Sequence, residues 1–147
     1  MAARFDLKEA REMLGRPFAT VRESLEDGGE YRGQARYEGL EGVEQVYNKE
    51  KFAGRVYGRD GRVEVIYVPG GSALADTTVK ELSSGMKGKG KEMRSRAGKE
   101  FTHVVYAEEG LAFSAEGDEL GFVEVFRPRP LKQYLEDIYR DPGPFTR

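Results

Sequence analysis

The fold class is decided by two stretches, VYNKEKFAGRVYGRDGRVEVIYVP at residues 46–69 and VYAEEGLAFSAEGDELGFVEVFRP at residues 105–128. The second begins 59 positions after the first, and the two align without a gap, so that Gly58 matches Gly117. Both are rich in Val, Ile, Tyr and Phe, the residues that favour half-buried strands. A repeat at a fixed offset predicts a duplicated antiparallel meander, with Gly58 and Gly117 at equivalent turns.

A second correspondence lies upstream, at an offset of 70. It aligns Gly15, Gly28, Glu30 and Tyr31 with Gly85, Gly98, Glu100 and Phe101. The difference of 11 residues between the offsets predicts an insertion in the first copy, around Arg32–Gly42. The sequence therefore predicts repeats at 7–69 and 76–128 within a single domain, 1–147. The alternative is two unrelated meanders that share only turn glycines and a final proline.

Each copy is predicted to begin with a pair of short helices separated by a glycine. The first pair is Leu7–Leu14, with Asp6 as N-cap, and Phe18–Leu25. The second pair is Thr78–Ser84, capped by Asp76 or Thr77, and Lys89–Arg96.

Three strands are predicted to follow in each copy. They are Glu44–Asn48, Phe52–Tyr57 and Arg62–Val68, and then Phe101–Ala107, Leu111–Ala115 and Gly121–Arg127. Asp60-Gly61 is a strong hairpin signal, because both positions of such a turn need a positive φ.

The chain is predicted to end with a helix, Leu131–Arg140. Its apolar positions are Leu131, Tyr134, Leu135, Ile138 and Tyr139, which fall on one helical face. Residues 143–147 are expected to fray. The predicted fold is α+β, two tandem helix–helix–meander repeats plus this helix.

The helix junctions resemble those of a known fold. The resemblance rests on Leu14-Gly15-Arg16-Pro17 with Thr20-Val21, and on Gly85-Met86-Lys87. In element order, residues 7–128 resemble the β-lactamase-inhibitor-protein fold, and one unit is similar to small outer-membrane assembly lipoproteins of the BamE/SmpA type. The resemblance implies a non-enzymatic scaffold that holds a protein on its sheet face. The lipobox cysteine and the inhibitors' disulfides have no counterpart here, so the inhibitory contacts are not carried over.

Composition narrows the possible chemistry. The absence of cysteine excludes disulfides, thiol catalysis and cysteine-based metal sites, and a single histidine, His103, excludes multi-histidine zinc sites. We expect His103 to be a packed structural residue. No stretch is apolar for long enough to predict a membrane helix. The N-terminus has no signal-like apolar run, so we expect a cytoplasmic protein, or an exported one whose signal peptide has been removed.

Two short motifs spell catalytic or nucleotide-binding patterns incompletely. Residues 84–87 fit S-x-x-K, but the companion motifs are absent and Gly85 would break the required helix. Residues 85–91 spell most of a P-loop, but Glu92 replaces the Ser or Thr that binds magnesium. We therefore predict no enzyme, no metal and no cofactor.

Tyrosines recur every ten residues in the first copy, at Tyr37, Tyr47, Tyr57 and Tyr67. A meander of this period brings such residues together across strands. They are predicted to line a partner-binding face, because Tyr offers large contact area at low entropic cost. The alternative is that the rings cap the edge of the core.

A basic run at residues 87–99 holds six cations and one Glu, whereas residues 23–50 hold eight acids and three bases. Its candidate partner-binding residues are Lys87, Lys89, Lys91, Arg94 and Arg96. A net charge of −2 and a lack of aromatic residues in the run argue against nucleic acid. The predicted function is a non-enzymatic protein-binding scaffold. The alternative is a domain that binds a polyanion or small ligand through the basic run.

Overall fold

Strand formation dominates the fold, and eight strands pair into one antiparallel sheet in the order β1-β2-β3-β4-β8-β7-β6-β5. The computed structural model describes residues 2–142. The strands are β1 (Glu30–Tyr37), β2 (Leu40–Tyr47), β3 (Arg55–Arg59), β4 (Arg62–Pro69), β5 (Lys91–Arg94), β6 (Thr102–Tyr106), β7 (Leu111–Glu116) and β8 (Glu119–Phe126). The sheet thus consists of two four-stranded meanders that meet where β4 pairs with β8.

Within residues 2–142, four short α-helices pack on the sheet: α1 (Leu7–Met13), α2 (Phe18–Leu25), α3 (Val79–Ser84) and α4 (Leu131–Asp137). Single 3-10 turns lie at Ser72–Leu74 and Ala107–Glu109. Asp6 caps α1 as predicted, and its carboxylate accepts a hydrogen bond from the backbone N–H of Lys8 at 3.0 Å. The predicted cap of α3 is wrong by one or two residues. Thr78 caps it, because its hydroxyl is placed to accept from the backbone N–H of Glu81 at 3.2 Å.

Alternating side chains divide the core between two faces of the sheet. In β4, Ile66 belongs to the cluster that packs against α1, α2 and α3, which we call the helix face. Its neighbour Val65 belongs to a second cluster with Tyr37, Tyr57 and Tyr134. We call this second side the tyrosine face; α4 covers part of it. The strand period of two residues explains the division.

The Asp60-Gly61 turn is confirmed, with φ of 53° and 79°. The equivalence of Gly58 and Gly117 is wrong. Gly117 is a turn residue with φ of 61°, but Gly58 lies inside β3, where a Cβ atom would collide with the ring of Phe18. The two glycines match in the sequence for different physical reasons, one for packing and one for a turn.

The first meander has four strands, not the predicted three, and Arg32–Gly42 is not an insertion outside it. That segment supplies most of β1 and the start of β2. The strand predicted from Phe52 begins at Arg55 instead. β1 was missed because it is a largely exposed edge strand, which therefore lacks an apolar alternation.

The helix predicted over Lys89–Arg96 is wrong, since β5 forms there and pairs with β6. Gly90 packs tightly against Val104 and Tyr106, and Met93 lies opposite His103. The unpaired edge of β6 satisfies the backbone of a segment too rich in glycine and like charge for a stable helix. The helix pair therefore occurs only in the first half. Strand order agrees between the halves, but the tandem helix–helix–meander repeat is not confirmed.

The C-terminal helix is confirmed, but it is shorter than predicted and ends at Asp137. Tyr134 and Ile138 are buried, whereas Leu135, which was predicted to be in the core, is 38% exposed. Residues 143–147, which were expected to fray, lie outside the described residues. Within residues 2–142, no helix has the length and apolar character to cross a membrane.

Candidate binding surface

A row of aromatic and arginine side chains crosses the open part of the tyrosine face. Strand register sets Arg55 of β3 opposite Tyr67 of β4. The guanidinium carbon of Arg55 lies 5.4 Å from the ring centre of Tyr47 and 5.8 Å from that of Tyr67. The guanidinium carbon of Arg96 lies 5.6 Å from the same Tyr67 ring. We call Tyr47, Arg55, Tyr67 and Arg96 the tyrosine–arginine row; all four are half-exposed.

The four tyrosines that recur every ten residues were predicted either to line a binding face or to cap the edge of the core, and the structure buries two of them and leaves two partly exposed. Tyr37 and Tyr57 are buried, with ring centres 4.7 Å apart, and they belong to the core of the tyrosine face. The ring centre of Tyr67 lies 6.1 Å from that of Tyr37, but Tyr67 is partly exposed. Tyr47 is linked to the other tyrosines through Arg55. Two of the four are thus core residues, and two are available to a partner.

A buried polar network lies beneath the row, centred on Glu124 of β8. This carboxylate is fully buried and accepts hydrogen bonds from the hydroxyls of Tyr37 and Tyr134, the latter at 2.6 Å. His103 Nε2 lies 2.7 Å from the Tyr134 hydroxyl. Arg96 completes the network, with Nη2 at 3.4 Å from Glu124. The network satisfies a charge that would otherwise be very costly to bury.

Arg96 is carried by residues 95–101, which we call the crossing segment. Its Nε lies 3.2 Å from a carboxylate oxygen of Glu38, and its Nη2 donates to the Tyr37 hydroxyl at 2.7 Å. Ser95 is hydrogen-bonded to Ser114 in β7. The crossing segment is thereby held onto the tyrosine face, next to the part that α4 covers.

The ionisation states in the network follow from burial and from Glu124. Burial and the charge of Glu124 raise the pKa of Tyr37 and of Tyr134 well above the ordinary value. Burial lowers the pKa of His103 to about 4, with Glu124 opposing and Arg96 reinforcing the shift. His103 is therefore neutral near pH 7, and its Nδ1 has no hydrogen-bond partner among the described residues. Since His103, Glu124 and Tyr134 are fully enclosed, this arrangement supports the fold and offers no room to a substrate.

Sequence reasoning missed this network because its members are far apart in the chain. Tyr37 and Glu124 are separated by 87 positions, and only the fold brings them together. One local signal was available: Glu124 is the only charged residue in the apolar run FVEVF at 122–126. A carboxylate in a strand that is buried on both faces must have buried donors.

The cations of the basic run differ in their contacts: the arginines are in ion pairs, and three lysines are exposed. Arg94 forms an ion pair with Asp141 at 3.3 Å, and Arg96 belongs to the network. Lys87, Lys89 and Lys91 are exposed near the β5 edge. A cavity of about 200 Å³ beside Lys89 and Lys91 is also lined by Glu108 and Glu109. These acids weaken the attraction of the run for a polyanion.

The residues of the two incomplete motifs are engaged in local hydrogen bonds. The Ser84 hydroxyl donates to the carbonyl oxygen of Glu81, and Gly85 ends α3 before Lys87. The backbone N–H groups of Lys87 and Gly88 donate to the carboxylate of Glu109, and they lower its pKa. No group of three or more potential metal-ligating side chains occurs in the part of the chain that the structure describes.

Comparison with known proteins identifies no relative: no family model, curated protein or solved structure matches this chain. The resemblance to the β-lactamase-inhibitor-protein fold therefore stays a prediction.

Proposed function

We propose that this protein is a non-enzymatic scaffold that binds another protein on the tyrosine face. The observation that carries the proposal is the half-exposed tyrosine–arginine row, in which Arg55 lies between Tyr47 and Tyr67. Tyr and Arg are the side chains that most often dominate binding energy in protein interfaces. Here they stand on strands of a continuous sheet, which keeps them pre-organised and lowers the entropic cost of association.

Only part of the tyrosine face is open to a partner, because α4 and the crossing segment cover the rest. α4 packs on it through Tyr134 and Ile138, and the crossing segment closes the space beside Phe122 through Arg96. The part nearer to the β1 edge carries the row. A partner bound there would also contact β1, whose outer backbone groups have no neighbouring strand in the sheet.

The row is tested by affinity capture from cell lysate with matched variants. The test variant is Tyr47→Ala with Arg55→Ala. The control is Tyr31→Ala with Arg22→Ala, which removes a second stacked pair, 3.4 Å apart, on the opposite face. We expect a protein that the unchanged chain and the control capture and that the test variant loses. The proposal fails if every captured protein is retained equally by the test variant, provided that circular dichroism shows both variants folded.

The alternative, a polyanion or small ligand bound by the basic run, has its own test. Reversing Lys87, Lys89 and Lys91 to Glu removes three exposed cations of the run and leaves Arg94 and Arg96 in their ion pairs. Retention on a heparin column that this triple reversal abolishes would support the alternative. Unchanged elution would exclude the run as a polyanion site.

A further inference from the structure

Both arginines of the tyrosine–arginine row lie near aromatic rings, but their guanidinium groups differ in their polar partners. Arg96 lies over aromatic rings, 4.4 Å from the centre of Phe122 and 5.6 Å from that of Tyr67. Its N–H groups are used by two carboxylates, those of Glu38 and Glu124. Arg96 is therefore a stacked guanidinium with its polar partners in place.

The guanidinium carbon of Arg55 lies 5.4 Å from the ring centre of Tyr47 and 5.8 Å from that of Tyr67, but none of the ion pairs in residues 2–142 includes Arg55. Its polar contact is with Tyr57, whose pKa is raised by burial and lowered in part by Arg55. Arg55 is half-buried, so its charge has lost some water without gaining a carboxylate. An Asp or Glu side chain of a bound partner would stabilise this charge.

Stacking determines which acid fits. The planar N–H fork of a guanidinium matches a carboxylate in a bidentate contact. The neighbouring Tyr47 and Tyr67 rings offer apolar area to either side of the fork. The surface therefore suits a single carboxylate flanked by apolar side chains.

We infer that Arg55 receives an Asp or Glu side chain from an extended, acidic segment of the partner, as Arg96 receives Glu38 and Glu124 within the chain. The inference rests on the proposed function and names the chemistry of the partner. Tyr47 and Tyr67 hold the guanidinium in place and contact the apolar neighbours of that acid.

The test uses the full chain and two synthetic peptides, acetyl-Val-Glu-Val-Glu-Val-amide and its Gln counterpart. The side-chain Nε–Hε signal of Arg55 is followed by NMR and assigned by its loss in Arg55→Lys. We expect the Glu peptide to shift this signal saturably and the Gln peptide to leave it unchanged. Arg55→Lys keeps the charge but loses the fork, so Glu-peptide binding should weaken about tenfold.

The matched control is Arg22, a guanidinium stacked on Tyr31 whose carboxylate partner, Glu26, is already present at 2.9 Å. Arg22→Lys should leave Glu-peptide binding unchanged. An Arg55 signal that does not move, or that moves equally with both peptides, overturns the inference.

Failure of the inference is distinguishable from failure of the proposed function. If a captured partner is lost on Tyr47→Ala but kept on Arg55→Lys and Arg55→Ala, the binding face stands and the carboxylate contact is overturned. If no captured protein depends on the row at all, the proposed function fails.

Discussion

At the scale of single residues, the fully buried Glu124 constrains the molecule, because its carboxylate needs buried hydrogen-bond donors. It lies in an apolar strand and is stabilised by two tyrosine hydroxyls and by Arg96. A buried ion pair adds little net stability, but removing one member leaves the other charge uncompensated. The network therefore determines how the crossing segment and α4 sit on the sheet.

Arg96→Met is predicted to destabilise the fold by roughly 2–4 kcal/mol, because Glu124 would keep only its two hydroxyl donors. The control is Arg36→Met, which breaks an exposed pair with Glu41 at 3.5 Å and should cost less than about 0.5 kcal/mol. Urea denaturation measures both. Equal effects of the two substitutions would show that Arg96 is no part of a stabilising network.

His103 predicts a dependence of stability on acid pH. Its pKa is about 4 in the fold, against an ordinary value of 6.5, so below pH 6.5 the unfolded chain binds more protons than the native one. Stability from this group is thus complete above pH 6.5 and is lost as pH falls toward 4, by about 3 kcal/mol in total.

His103→Gln, which keeps a hydrogen-bonding side chain but does not titrate, should flatten this part of the pH profile. The measurement is the free energy of unfolding in urea between pH 7 and pH 4. A profile with the same slope in the variant would assign the acid sensitivity to the carboxylates instead.

At the scale of elements, α4 shows that a helical pattern can predict a helix correctly and still not predict which of its apolar residues are buried. Five apolar residues follow the helical period, but the helix stops at Asp137. Tyr134 faces the sheet with a ring centre 4.9 Å from that of Phe126, and this orientation turns Leu135 toward solvent. The spacing of apolar residues defines a broad apolar stripe on the helix, and packing against the sheet determines which part of that stripe is buried.

Ile138→Ala is predicted to cost roughly 2–5 kcal/mol, because this side chain is fully buried against the tyrosine face. Leu135→Ala should change stability by less than about 0.5 kcal/mol, since its side chain is exposed. Thermal or urea denaturation compares them. The reverse order of effects would mean that α4 docks through its other side.

At the scale of the whole molecule, the two halves share both the sheet and the core. β4 pairs with β8 along five residues, with Ile66 opposite Val125, and the helix-face cluster contains residues from both halves, such as Phe18 and Phe113. Each half alone would be a chain of about 60 residues, a size at which burial is marginal.

The protein should therefore unfold in one cooperative transition. Tyrosine fluorescence and far-ultraviolet circular dichroism should give superimposable denaturation curves. Two separated steps would contradict a common core and would indicate that the meanders are independent units.

Much of the fold follows from local sequence. The Asp6 cap, α2 and the Asp60-Gly61 hairpin were predicted correctly, because each depends on neighbouring residues alone. β5 was mistaken for a helix because its strand conformation depends on the free edge of β6, which lies some ten residues away. Of the four candidate tyrosines, Tyr47 and Tyr67 are partly exposed, whereas the strand predictions did not foresee Arg55 between them.

The sequence by itself determined the α+β class, the two meanders, the existence of α4 and the absence of cysteine chemistry. Periodicity, capping and turn propensities act over a few residues, so they can be read without a fold. The tertiary structure alone decided which tyrosines are buried, that Glu124 is neutralised by Arg96, and that Arg55 is stacked without an acid. These outcomes depend on contacts between residues 8 to 87 positions apart, and strand register, which local preferences do not encode, brings those residues together.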